Sequence, residues 1–498
     1  MLWPVAFVGG MANPVRMSAE PVDPAVIPAD PAANHGVPAP DLCPGESDSL
    51  DAENRLKGDF VRRVRDALEA GEVDRVYALV EPLHPADIAD LFELIDPNDR
   101  VELAHAISDL MGGEVFAEMN DHVRDALVED LPAEDIADIA EEMETDDAVA
   151  LLEDLEPAEQ RAILAEMEPE ERAAIESALA YPEETAGRLM SRDVIAVGQH
   201  MTVGDLIDFL REERELATEF WEVFIVDARY HPVGTCALSW ILRSPRNVPL
   251  TDVMQRDQTL IPVTMDQEEV ALRFQKYSLI SAAVVDTAGR LVGQITVDDI
   301  VHIIQEEAGE DALKLAGAGD GDINEPIFET IKSRMWWLLV NLMTAIAAAV
   351  VPVYFGATIE KLVVLSALMG IVTGMGGNAG TQTMAVTVRA LATNQLTSSN
   401  TWRMIFREMV IAGSNGLGLG VVMGIGCQAY YHSTVLSLVF MAGWVINALA
   451  AGIAGILIPL GLDKLKVDPA VVSTVFVTWV TDTIGFFGFL GLATLFLT

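Results

Sequence analysis

Apolar positions along this chain change their spacing twice before becoming continuous. From Leu50 to about Tyr181 they recur every three or four residues in short bursts, the period of amphipathic helices. Pro85, Pro132, Pro157 and Pro169 open several of these bursts, each followed closely by acids. That order suits a first helical turn, where the missing N–H costs nothing and the helix dipole welcomes negative charge. The stretch Pro85-Ala86-Asp87-Ile88-Ala89-Asp90 returns as Pro132-Ala133-Glu134-Asp135-Ile136-Ala137-Asp138. The pattern predicts an all-α superhelical domain over residues 50–182, each unit burying its stripe against the next.

Between residues 186 and 310 the period shortens. Two stretches align, Gly187-Arg188-Leu189-Met190-Ser191-Arg192-Asp193 and Thr251-Asp252-Val253-Met254-Gln255-Arg256-Asp257. Each precedes a short β-like run, an amphipathic helix and a buried strand ending in Asp227 or Asp286. A turn and a second strand follow each. This duplicated α+β pattern resembles a tandem pair of CBS domains, here 183–248 and 249–312. The second repeat runs on into a helix whose polar side crowds Asp299, Glu306, Glu307, Glu310 and Asp311. Like charges three, four or seven positions apart gain no relief from one another. Such a face is either simply solvated or stabilised by a bound divalent ion.

Five apolar segments follow, at about 335–356, 362–387, 408–429, 434–460 and 470–497. Each is long enough to cross a bilayer core of about 30 Å. Lys332, Arg334, Arg389, Arg403, Arg407, Lys464 and Lys466 fall on one side and only Lys361 on the other. The positive-inside rule then puts the N-terminus in the cytoplasm and the C-terminus outside, in a multi-pass protein of the inner (plasma) membrane.

Charge sharpens the division. The formal net charge is −45, yet from Ile331 onward there are 8 Lys or Arg and 5 Asp or Glu. The acidity therefore belongs to the first two thirds, where it repels nucleic acid and anionic lipid and favours multivalent cations; solubility alone also accounts for part of it. Cys43, Cys236 and Cys427 show no disulfide or zinc spacing. Residues 1–49 are rich in Pro, Ala and acid, which predicts a disordered extension, and Met1 to Ala12 lacks the basic start of a signal peptide.

Asp482 is the single acid in the last apolar stretch, flanked by Thr478, Thr481 and Thr483. A carboxylate at membrane depth usually faces a water-filled path or a cation; a protonated helix-packing role is the alternative. The second apolar segment holds Gly374-Met375-Gly376-Gly377-Asn378-Ala379-Gly380-Thr381-Gln382-Thr383. Small residues permit close helix approach, while Gly376, Gly377, Asn378, Gly380 and Gln382, with Thr478, could line a path and hold a hard cation through its water shell.

That glycine segment, with Val388-Arg389-Ala390-Leu391-Ala392 and with Asp468-Pro469-Ala470 fourteen residues before Asp482, resembles the signature of the MgtE family of magnesium channels. The resemblance implies an acidic helical N domain, tandem CBS domains, a connecting helix over 313–334 and a five-helix transmembrane domain over 335–498. It implies a homodimer embedded in membrane lipid that conducts Mg2+ and closes when its soluble domains bind that ion, and no enzymatic role. Asp482 would be the pore carboxylate, and Asp468 would face the acids around Glu307, Glu310 and Asp311. Thr474-Val475 replaces a Gly/Asn-Pro pair common in that family, and His302 stands at a commonly acidic position. Selectivity among Mg2+, Co2+, Ni2+ and Mn2+ stays open, as does nucleotide binding between the CBS domains. The rival readings are a CBS-regulated anion channel, which would need buried basic groups, an intramembrane aspartyl protease, which would need a second buried acid, and a non-conducting membrane sensor.

Overall fold

A computed structural model describes residues 49–497, except 154, 213–219, 319–320, 322–323 and 398 and the side chains of 471 and 472. The extension expected over 1–49 lies outside the described residues up to position 48. The described residues fall into two units, divided between Phe60 and Val61. In the first, the Asp51 carboxylate accepts from the Glu53 and Arg55 amides at 3.0 and 2.9 Å, and a bridge between Leu50 and Leu56 closes the turn.

In the second unit, short helices succeed one another from Val73–Val80 to Pro169–Leu179. Pro85, Pro157 and Pro169 occupy first turns, and Pro132 stands at the N-cap of Ala133–Glu142. Helices two apart in order pack together: Ala133–Glu142 on Pro157–Glu166, and Thr145–Glu153 on Pro169–Leu179. Their buried stripes, among them Ile136, Leu151, Leu152, Ile163 and Ile175, form the core that the apolar period predicts.

The duplicated region folds into two three-stranded sheets of identical plan. The first joins β1 (Ala196–Gly198), β2 (Glu222–Val226) and β3 (Pro232–Ala237); the second joins β4 (Leu260–Pro262), β5 (Ser281–Val285) and β6 (Leu291–Thr296). In each, the first pair is parallel, the second antiparallel, and a register shift falls one residue before the end of the central strand. The modules exchange their leading segments. Gln255, in the leading segment of the second repeat, exchanges two backbone bonds with Thr235 of β3 at 2.8 and 2.9 Å, and Ser191, in that of the first, accepts from Gln294 of β6 at 2.9 Å. Ala186 and Met190 accordingly sit in the second module's core. The division at 248/249 is thus one of chain order, and each core is completed by residues from across it.

The separate connecting helix expected over 313–334 is divided. Residues 313–316 end the helix Val297–Ala316, which starts directly from β6 with a Thr296/Asp299 capping box. Residues 327–334 open the helix Ile327–Tyr354. Gly317, at φ +64°, ends the first of these in the left-handed conformation that Gly adopts without penalty.

Among the described residues, four helices are long and apolar enough to cross a membrane: Ile327–Tyr354, Thr401–Tyr431, Thr434–Lys464 and, within Pro469–Leu497, Ser473–Leu497. The second expected segment is the 29-residue helix Val364–Ala392, whose Gly, Asn, Thr and Gln dilute its apolar character. It packs tightly all the same. A Cβ on Gly455 would lie 2.8 Å from the Gly380 carbonyl oxygen and 3.0 Å from the Met384 amide, so these two helices touch backbone to backbone. Ile327–Tyr354 is the reverse: Trp336, Leu338, Leu342, Met343, Ile346 and Val350 are all exposed.

Candidate cation path

The last helix begins with a cap. The Asp468 carboxylate accepts from the Ala470 amide at 2.8 Å, and Pro469 follows at the first turn. Four-residue spacing then puts Thr474, Thr478 and Asp482 on one face, each half-buried. Asp482 has no hydrogen-bond or ion-pair partner among the described residues. Close by in the same bundle, the Thr483 Oγ1 and Asn447 Oδ1 atoms are buried without partners.

The glycine segment does not present all its residues to this helix. Gly376 and Gly380 are buried; Gly376 packs against the Asn447 amide, which donates to the Val372 carbonyl at 2.8 Å, and Gly380 packs beneath Val477 and Thr481. Gly377 is nearest the Thr481 hydroxyl. Asn378 and Gln382 are exposed and border a cavity shared with helices Thr401–Tyr431 and Thr434–Lys464, which the last helix does not line. Of the five expected residues on this helix, Gly377 and Gly380 therefore meet the last helix, while Asn378 and Gln382 border the cavity, as does Gly376.

The soluble part reaches the foot of the Asp482 face. Thr474 donates its hydroxyl to the Leu315 carbonyl at 2.8 Å, and Leu315 packs on Met384, Val388, Ala470 and Val477. This hydroxyl satisfies one of the orphan carbonyls at the end of Val297–Ala316, a bond that a Gly at position 474 could not make. At the adjacent position, Lys314 Nζ lies 2.5 Å from Glu310 Oε1 and 3.1 Å from Asp468 Oδ2. Burial alone would lower this ammonium's pKa, but those two acids outweigh it and hold it above its usual range.

Acids gather along the remainder of Val297–Ala316. Burial, then the approach of Asp468, pushes Asp311 up. Burial, then the Glu307 charge, pushes Glu268 up to about 7. Glu307 is itself raised by burial although Gln267 Nε2 donates to it at 2.8 Å. Glu306 is exposed, within electrostatic reach of Asp121 in the helical stack. Asp299 accepts from the Thr296 amide and hydroxyl at 3.0 and 2.8 Å, yet burial keeps it above the ordinary carboxylate range. Facing it, Asp147 is pushed to about 6 and Asp146 well upward, in both cases by burial first and by Asp299 next. Asp146 Oδ1 is buried without a partner. Among the described residues no three His, Cys, Asp or Glu side chains converge as a ready ligand set. Such a seam suits an ion that keeps part of its water shell and bridges acids through it, as Mg2+ does.

Three family models match: "Divalent cation transporter" (MgtE) over 369–492, "MgtE intracellular N domain" over 83–184 and "CBS domain" over 250–306. A protein named magnesium transporter MgtE from Enterococcus faecalis is 32% identical over 87% of this chain and 96% of its own length. The chain belongs to the MgtE family. Proteins of the same name from Bacillus subtilis and Thermus thermophilus are 29% and 30% identical, over 64% and 65% of this chain and 70% and 72% of theirs. The crystal structure of the cytosolic domain of the Mg2+ channel MgtE in complex with ATP is similar over 49% of this chain and 99% of that one, at 26% identity and a TM-score of 0.46.

Within this chain Lys314 links Asp468 to Glu310, Asp311 lies within electrostatic reach of Asp468, and Glu307 stands beside Glu268. The fold adds residues that sequence reasoning missed. Asp146 and Asp147 follow Glu144 in an acid run that reads locally as an ordinary helix start; only packing sets them against Asp299. Lys314 carries no motif. Glu408, expected at the end of a span, is buried inside Thr401–Tyr431, because that helix begins well before its apolar run.

Proposed function

We propose that this chain carries Mg2+ into the cell through a path lined by Asp482, and that Mg2+ bound along the acidic seam holds the path shut. One observation supports this most directly: Val297–Ala316 ends against the foot of the Asp482 face, through Thr474–Leu315 and Lys314–Asp468. Whatever draws that helix inward also closes the foot of the face. At low Mg2+ the seam acids repel and the helix is released. As Mg2+ rises, the ion binds the closed arrangement better and shifts the population toward it. The relatives' shared name, magnesium transporter MgtE, supports the choice of ion.

The finer reading has five spans, Val364–Ala392 among them, in the plasma membrane, with acidic domains in the cytoplasm and the C-terminus outside. Two chains pair so that their Asp482 carboxylates face one passage. The exposed apolar surface of Ile327–Tyr354 supports burial in lipid or against a second copy. A nucleotide between the CBS domains belongs to the same proposal.

Mg2+ uptake into proteoliposomes tests the path. Asp482→Ala abolishes uptake, and Asp482→Asn separates charge from hydrogen bonding; full uptake in both removes Asp482 from the path. Parallel runs with Co2+, Ni2+ and Mn2+ decide whether the broader description, divalent cation transporter, suits this chain better.

A further inference from the structure

Glu408 is 6% exposed and has no hydrogen-bond or ion-pair partner among the described residues. It borders a cavity of about 370 Å³ between Val364–Ala392, Thr401–Tyr431 and Thr434–Lys464, together with Asn378, Gln382 and Asn415. The bundle thus encloses an acidic side chain at the wall of a cavity, with no side chain paired to it among the described residues. Arg407 borders the same cavity but is exposed, and neighbouring positions on a helix do not face each other, so it does not neutralise Glu408. The cavity offers what a cation needs. At ~30 Å³ per water it has room for an ion with its shell, and three side-chain amides supply oxygen acceptors.

We propose that this cavity is a second cation site, in which Glu408 carries the charge and Asn378, Gln382 and Asn415 hold the water shell of a divalent ion. It rests on the reading of the chain as a cation conductor, yet it is distinct from Asp482, since no residue of the last helix borders it. It also gives Asn378 and Gln382 a purpose on the face where the fold puts them.

The test is Mn2+ binding, counted by electron paramagnetic resonance, on the full chain in lipid nanodiscs. Mn2+ is a hard, oxygen-seeking probe. Glu408→Gln removes one Mn2+ per chain, a site that Asp482→Asn retains. Asn415→Leu keeps the carboxylate and weakens that site by about tenfold, the usual cost of losing a supporting group around a metal. An unchanged Mn2+ count in Glu408→Gln overturns the proposal and leaves Glu408 a helix-packing residue. Where Glu408→Gln does not fold, Glu408→Asp and Asn415→Leu decide, and wild-type affinity in both overturns it equally. Uptake lost in Asp482→Ala with Mn2+ retained in Glu408→Gln sinks the cavity and spares the path. Uptake intact in Asp482→Ala with Mn2+ lost in Glu408→Gln does the opposite.

Discussion

Lys314 stands between Glu310 and Asp468, two acids from different elements that would otherwise repel across the foot of the last helix. It is a tethered cation in a place that attracts free ones. The groups remain partly exposed, so the pairing contributes about 0.5–1 kcal/mol at most. Lys314→Met should loosen the closed arrangement without divalent ions and make closure depend more steeply on Mg2+. Protease protection of the full chain, titrated with Mg2+, measures this; a curve matching wild type denies Lys314 that role. Thr474→Val removes one hydroxyl bond to Leu315 at nearly constant volume. The loss should be about 1 kcal/mol, read as a higher Mg2+ requirement for the same protection.

Two crossings matter at the scale of elements. Gly380 and Gly455 let Val364–Ala392 meet Thr434–Lys464 at backbone distance, which ties the glycine-rich helix to the helix carrying Asn447. Gly455→Val puts three carbons where the Gly380 carbonyl and the Met384 amide already stand. It should cost at least about 1–3 kcal/mol and lower the temperature at which the detergent-solubilised protein loses its elution peak. The CBS modules make the other crossing. Because Gln255 pairs with Thr235 and Ser191 with Gln294, neither sheet is complete without the other repeat's leader. The repeats were legible in the sequence as aligned segments; the exchange was not, since an alternating pattern marks a strand without marking its neighbour.

For the whole molecule, acidity and gating are one question. Asp147 and Glu268 are raised to about 6 and about 7 from ordinary values of 3.8 and 4.5. The folded seam therefore holds protons that the unfolded chain has released. Their stabilisation is complete below pH 4 and is lost as pH rises through 6 and 7. Without divalent ions, thermal unfolding of the full chain should come at lower temperature at pH 8 than at pH 5, and millimolar Mg2+ should flatten that slope by supplying the charge that protons no longer do. A flat profile without Mg2+ would count against the seam as a sensor.

The sequence by itself determined which solvent each part of the chain meets and which local element each part forms. Apolar period, proline placement and charge are properties of neighbours along the chain, and a few residues suffice to express them. It also singled out Asp482, because a lone acid in an apolar run is visible in one dimension. Only the tertiary structure decided that Asp147 faces Asp299, that Lys314 joins Glu310 to Asp468, and that Asn378 turns toward Glu408 while Gly380 turns toward Val477. A helix's period says which side chains share a face, but what that face meets depends on how distant segments pack.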